Sequence, residues 1–170
     1  MRAEQPKLYT ELAGWWQLVS PTEDYADEAA FFGELFQAEN AKTVLELGSG
    51  GGNVAWFLKK HFTLTLTDIS GMMLAESKKQ NPEIEHIEGD MRVLRLGRMF
   101  DGVLIHDAIM YMTSEEDLRA ALVTAYEHCK TRWRGSARAR LGGRNPVVVR
   151  CIASSWCACS PSSTNHTITL

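Results

Sequence analysis

The sequence predicts an α/β fold: a doubly wound parallel sheet with helices on both faces, entered through a helical N-terminal segment. Three observations carry this. Strand-like and helix-like stretches alternate between about residues 42 and 130, the pattern of parallel strands joined by helical crossovers. The stretch "TVLELGSGGGN" (43–53) places a strand-forming run directly before a cluster of glycines and a helix-like run. At 170 residues and 45% hydrophobic composition, the chain has the material for one domain with a real core.

The elements follow in order. "KLYTELAGWWQLV" carries Leu8, Leu12, Trp15, Trp16 and Val19 on roughly one helical face. Ser20-Pro21 breaks it, and Thr22 or Asp24 is placed to cap a second helix running through about Ala38. A strand at 43–47 leads to a helix at 52–61. "TLTLTD" (63–68) is the second strand, and Ser70 caps a helix over 71–79. A short third strand falls near 84–87, and "FDGVLIHDAI" contains a buried-looking fourth strand at 100–106. Ser114 caps a last helix in which Leu118, Ala121, Leu122 and Ala125 recur at helical spacing. No internal repeat interrupts the series.

Composition narrows the class of function. No segment approaches the ~20 apolar residues that span a membrane, and the N-terminus lacks a signal-like apolar core. The expectation is a cytoplasmic protein of unspecified oligomeric state. The net charge of −3 conceals an asymmetry: residues 1–130 hold all 21 acids, whereas residues 131–170 hold six Arg and no acid. A folded part this acidic argues against a nucleic-acid partner.

Chemistry-bearing residues sit where the strands end. A dinucleotide fingerprint needs Gly at its first, third and sixth positions; Gly48 and Gly50 fit, but the sixth is Asn53. That departure disfavours a nicotinamide-dependent oxidoreductase. A phosphate-binding loop fails as well, because no Lys follows until Lys59. What remains is an acid inside a strand, Glu46, followed by Gly48-Ser49-Gly50. Asp68 ends the second strand, where a carboxylate can accept both hydroxyls of a ribose. Asp90 and Met91 follow the third strand and suit an adenine, the carboxylate for its amino group and the thioether for its ring face. His106 and Asp107 follow the fourth.

These residues resemble one family. "VLELGSGGGN", "LTLTDISGMML", "IEGDM" and "FDGVLIHDAIMYM" are similar to the successive motifs of class I S-adenosylmethionine-dependent methyltransferases, over about residues 7–130. The resemblance implies a Rossmann-like methyltransferase fold, S-adenosylmethionine as cofactor, a small-molecule acceptor methylated on nitrogen or oxygen, and no metal. It implies cofactor contacts from Tyr9, Glu46, Gly48, Ser49, Gly50, Asp68, Ile69, Met73, Asp90, Met91 and His106. Glu46 would support the ammonium group, Asp68 the ribose, and Asp90 with Met91 the adenine. The N-terminal helices resemble the lid of sugar-amine and other small-molecule methyltransferases, which Tyr9, Trp15 and Trp16 would line. His106 is the candidate catalytic base, with Asp107 as partner. The pairs Met72-Met73 and Met110/Met112 read as core packing.

The expected organisation is a lid at 1–41, a cofactor-binding core at 42–130 and an atypical tail at 131–170. Past Lys130 the resemblance implies a Pro-Gly-Gly turn and a fifth strand. The chain instead reads "TRWRGSARARLGG". Shifted by one base, the codons of Thr131 to Arg134 permit Pro, permit Gly, and then force Gly through the Trp codon. The tail therefore reads as translated out of frame and poorly ordered, apart from a makeshift strand in "PVVVRCIA" (146–153). Its Cys151, Cys157, Cys159 and His166 match no common zinc spacing. A chain lacking the acceptor-shaping region is left methyltransferase-like but of uncertain competence, so a cofactor-binding module without catalysis is the second reading.

Overall fold

The computed structural model describes residues 6–130, together with the backbone of 147–150. Five strands form one sheet: β1 (Thr43–Leu47), β2 (Thr63–Asp68), β3 (Glu85–Glu88), β4 (Gly102–Ile105) and β5 (Val147–Arg150). Their order is β3-β2-β1-β4-β5. The first four are mutually parallel, and β5 runs antiparallel to β4. The strand expected within 146–153 is thus present as β5. The out-of-frame reading of the rest of the tail, its order and its Cys and His residues lie outside the described residues.

Helices cover both faces. They are α1 (Trp16–Val19), α2 (Ala26–Ala38), α3 (Asn53–Leu58), α4 (Gly71–Gln80) and α5 (Glu115–Glu127). Side chains alternate along each strand, so neighbouring residues feed opposite cores. Val44 and Leu104 join Phe32, Phe36, Val54, Leu58 and Leu66 on one face. Leu45, Leu47, Val103 and Ile105 meet Met91, Ile109, Ala121 and Ala125 on the other. Ser70 and Ser114 cap α4 and α5 as expected, each accepting a hydrogen bond from the backbone N–H three residues on.

The N-terminal segment departs from expectation. In place of one amphipathic helix, it runs through single 3₁₀ turns at Lys7–Tyr9 and Ala13–Trp15 before the four-residue α1. Thr10 leaves the helical region altogether, with φ −124° and ψ −105°. Leu12, Trp15, Leu18 and Val19 are exposed, so no apolar stripe holds the segment. Polar hooks hold it instead: Asn53 donates to the Ser20 carbonyl, Gln17 donates to the Asn53 side chain, and the Ser70 hydroxyl donates to the Tyr9 carbonyl. A 3₁₀ turn at Thr22–Tyr25 runs directly into the next helix at Ala26, and neither Thr22 nor Asp24 caps it: Tyr25 holds the N-cap position without a side-chain bond, and the Thr22 hydroxyl donates to Gln17 and Gln80.

Two smaller corrections concern methionines. Met73 is buried and Met112 lies against the second core, but Met72 and Met110 are exposed. The fourth strand is shorter than 100–106, because Phe100 bridges only Cys129 and His106 already begins a 3₁₀ turn at Asp107–Tyr111.

The strand order fixes where a ligand belongs. From β1 the chain moves outward through β2 to β3, then crosses back to β4 on the other side of β1. Loops leaving β1 and β4 diverge there, opening a crevice at their carboxyl ends.

Candidate functional site

That crevice is a cavity of about 770 Å³, within the range of small-molecule sites. All eleven residues singled out above as cofactor contacts line it, from Tyr9 to His106. Trp16 lines it as well, whereas Trp15 projects to solvent at 61% exposure.

The glycine turn forms the floor. Gly48 has φ +77°, a conformation that other residues rarely adopt, and a Cβ there would lie 2.3 Å from Ala108 and 2.8 Å from the Met91 methyl. Gly52, at φ +74°, lets the start of α3 press against Ser77 and Asn81 of the α4 end. Asp68 closes the turn from the side. Its carboxylate accepts from the Gly50 N–H and the Ser70 N–H, both at 2.8 Å. Asn53, the residue that broke the dinucleotide pattern, is a hub: its side chain joins Gln17, Gln80 and the Ser20 carbonyl.

Two acids define the charge of this end. Glu46 is 3% exposed, and its Oε2 has no hydrogen-bond partner. Burial, reinforced by the neighbouring Asp68, pushes its carboxyl up to about 8. Burial also raises Asp68, against the lowering effect of its backbone N–H donors. Buried carboxylates are normally paired, so an unpartnered one beside another marks a place for a cation.

The opposite end is arranged otherwise. Asp90 is gripped by Arg92, whose Nε and Nη2 reach both its oxygens, while Nη1 donates to Asp117 of α5 at 2.9 Å. The hydrogen bonds it donates to the two acids hold the guanidinium above its ordinary value. Arg92 was not legible beforehand, because Asp117 is 25 residues away and only the fold brings it alongside.

At the mouth, His106 is nearly buried between the edges of Tyr25 and Phe32. Its Nε2 lies 3.0 Å from Glu28 of α2 and 3.6 Å from Asp107. The expected partner, Asp107, is therefore the more distant of two, and Glu28 was missed for the same reason as Arg92. Above them the Tyr9 and Tyr111 hydroxyls are 2.6 Å apart. Burial, then the Tyr111 hydroxyl, pushes the Tyr9 phenol above its usual range. Among the described residues no group of three or more His, Cys, Asp or Glu could hold a metal ion, and no helix is long and apolar enough to cross a membrane.

Four parallel strands with a glycine turn after β1, an acid one residue before the end of β1, another ending β2, and a crevice between β1 and β4 define a nucleotide-cofactor fold of the Rossmann-like methyltransferase class. The model of the family described as "Methyltransferase domain" matches residues 44–132, more than half of the chain, and the chain belongs to that family. It is 32% identical over 113 residues to a dTDP-3-amino-3,4,6-trideoxy-α-D-glucopyranose N,N-dimethyltransferase of Streptomyces venezuelae, covering 62% of this chain and 46% of that protein. The crystal structure of Streptomyces venezuelae DesVI superposes with a TM-score of 0.65 at 28% identity, covering 71% of this chain and 53% of that one. An S-adenosylmethionine-bound amino pentose methyltransferase of Micromonospora echinaspora, involved in calicheamicin biosynthesis, gives 0.61 at 26%, covering 63% and 47%. The chain thus spans about half the length of the relatives it matches.

Proposed function

We propose that this chain is an S-adenosylmethionine-dependent methyltransferase whose acceptor is an amine on a small molecule, in the cytoplasm. The observation that carries the reading is the buried, unpartnered Glu46 carboxyl beside Asp68 at the glycine turn. The cofactor's ammonium supplies the missing cation, its ribose the hydroxyls that Asp68 can accept, and Met91 an apolar wall for the adenine. The nitrogen acceptor is favoured by the relatives, whose names specify amino-sugar substrates. A lid at 1–41, a core at 42–130 and a separate segment at 131–170 belong to the same proposal.

Bound S-adenosylmethionine supplies an electrophilic sulfonium methyl. The protein's own part is positioning and exclusion of water. Tyr9, Trp16 and Tyr111 roof the cavity, and the Tyr9–Tyr111 contact joins the N-terminal segment to the loop after β4. His106 stands at the mouth, where it can take the proton that an amine must lose. Glu28 and Asp107 flank its ring, 3.0 Å and 3.6 Å from Nε2.

Calorimetric titration of the 170-residue chain with S-adenosylhomocysteine, beside Asp68→Ala, tests the reading. Binding in the low-micromolar range that the substitution weakens at least 30-fold supports it. A folded chain that does not bind sinks it.

A further inference from the structure

One face of α2 closes around His106. Tyr25, at the N-cap of the helix, and then Glu28 and Phe32 follow one another at three- and four-residue spacing, which sets them side by side. Tyr25 and Phe32 stand edge-on to the imidazole, with ring centroids 6.0 and 5.5 Å away. The Tyr25 hydroxyl is tied to the Ser20 hydroxyl at 2.6 Å, which fixes its ring in turn. Glu28 brings Oε2 to 3.0 Å from Nε2 of His106, and Asp107 approaches the same nitrogen at 3.6 Å. That nitrogen is shut off from solvent and makes no hydrogen bond elsewhere.

This enclosure decides which ring nitrogen carries hydrogen. A carboxylate oxygen only accepts, so a nitrogen facing two of them must be a donor. In a neutral imidazole one nitrogen holds the hydrogen and the other the lone pair. With hydrogen on the sealed Nε2, the lone pair falls to Nδ1, and His106 still lines the cavity. Resting on the proposed methyl transfer to an amine, we infer that Glu28 is a positioning residue for it: Glu28 keeps the hydrogen on Nε2 and so presents Nδ1 as the base. The proton leaving the acceptor's nitrogen arrives on Nδ1, and water later takes it away. Glu28 stands behind the ring, does not line the cavity and acts through His106 alone. It is also better shielded than Asp107, at 27% against 47% side-chain exposure, so water competes less for its carboxylate.

Magnetic resonance of the full chain, with histidine isotopically labelled in its ring nitrogens, distinguishes a protonated nitrogen from a bare one. His106→Gln identifies the His106 signals among the five histidines. At about pH 7.5, above the ordinary histidine range, wild type should show hydrogen on Nε2 and a bare Nδ1. Glu28→Leu keeps the bulk of the side chain and removes the acceptor. The population with hydrogen on Nδ1 should then rise about fivefold or more, within the scale of an interaction with a charged partner. Glu28→Ala makes the same comparison should Glu28→Leu not fold. A wild-type ring with hydrogen on Nδ1, alone or together with Nε2, overturns the inference. So does a folded Glu28 variant whose hydrogen placement matches wild type, which is what a packing role would give, or a larger change in Asp107→Asn than in Glu28→Leu. Titration with S-adenosylhomocysteine separates the two readings. A chain that binds it keeps the cofactor reading whatever its tautomer, whereas a chain that does not bind takes the base role down with that reading, even where Nε2 holds the hydrogen.

Discussion

The two ends of the cavity contrast. Around Asp90 every charge is answered by another part of the chain: Arg92 spans Asp90 and Asp117 and ties the loop after β3 to α5. Around Glu46 buried polar atoms are left without partners, and the N-terminal segment beside them is tied down largely by side-chain hydrogen bonds. The first end is stable as it stands. The second stores an unfavourable free energy that a ligand can release. A protein that must bind a charged molecule tightly gains from putting its unmet polar groups where that molecule's charges will lie.

The largest expected effect breaks this contrast at Glu46. Its carboxyl is raised from 4.5 to about 8 on folding. An acid raised on folding stabilises nothing at high pH; the folded chain should lose stability as pH rises from about 4.5 through 8. At 1.36 kcal/mol per unit the loss is a few kcal/mol. Glu46→Gln should flatten that decline and raise Tm at pH 8.5, while weakening S-adenosylhomocysteine binding. Thermal melts across pH 5–9, with and without ligand, measure both. A melting curve of the variant that tracks wild type at every pH would refute the contrast.

Arg92→Ala acts at the other end and should have the opposite character. It leaves Asp90 and Asp117 facing each other without their cation, at sites roughly a sixth to a third exposed. Solvent screening limits the cost to about 1–2 kcal/mol. Urea unfolding should show that loss without any steepening of the pH dependence. A loss seen only in the presence of ligand would place Arg92 with the unsatisfied end instead.

Asn53→Ala sharpens the comparison at the N-terminal segment. It removes the hub that binds Gln17, Gln80 and the Ser20 carbonyl. A global cost of about 1 kcal/mol is expected, with hydrogen exchange accelerated mainly in residues 16–20. Uniform acceleration across the sheet would show that the segment is not a separate, weakly held unit.

Much of the core was legible because its signals are local. The run Thr43–Leu47, the glycines after it and the serine caps at Ser70 and Ser114 each act within a few residues. They set strand, turn and helix before any distant contact forms. The candidate residues at four successive strand ends could be named for the same reason: strand ends follow from strand positions, and a parallel sheet puts its carboxyl ends on one edge. The N-terminal segment was misread because its apolar spacing fits a helix, yet the hydrogen bonds that decide its path run to Asn53 and Ser70, 33 and 61 residues away from their partners.

The sequence by itself determined an alternating α/β chain with a glycine turn flanked by acids, since backbone preference and side-chain periodicity are properties of neighbouring residues. Only the tertiary structure decided that Arg92 answers Asp90 through Asp117, that Glu28 stands closer to His106 than Asp107 does, and that Trp16 rather than Trp15 faces the cavity. Those pairings depend on how α2, α5 and the N-terminal turns settle on the sheet. Partners so far apart along the chain leave no mark in its local pattern.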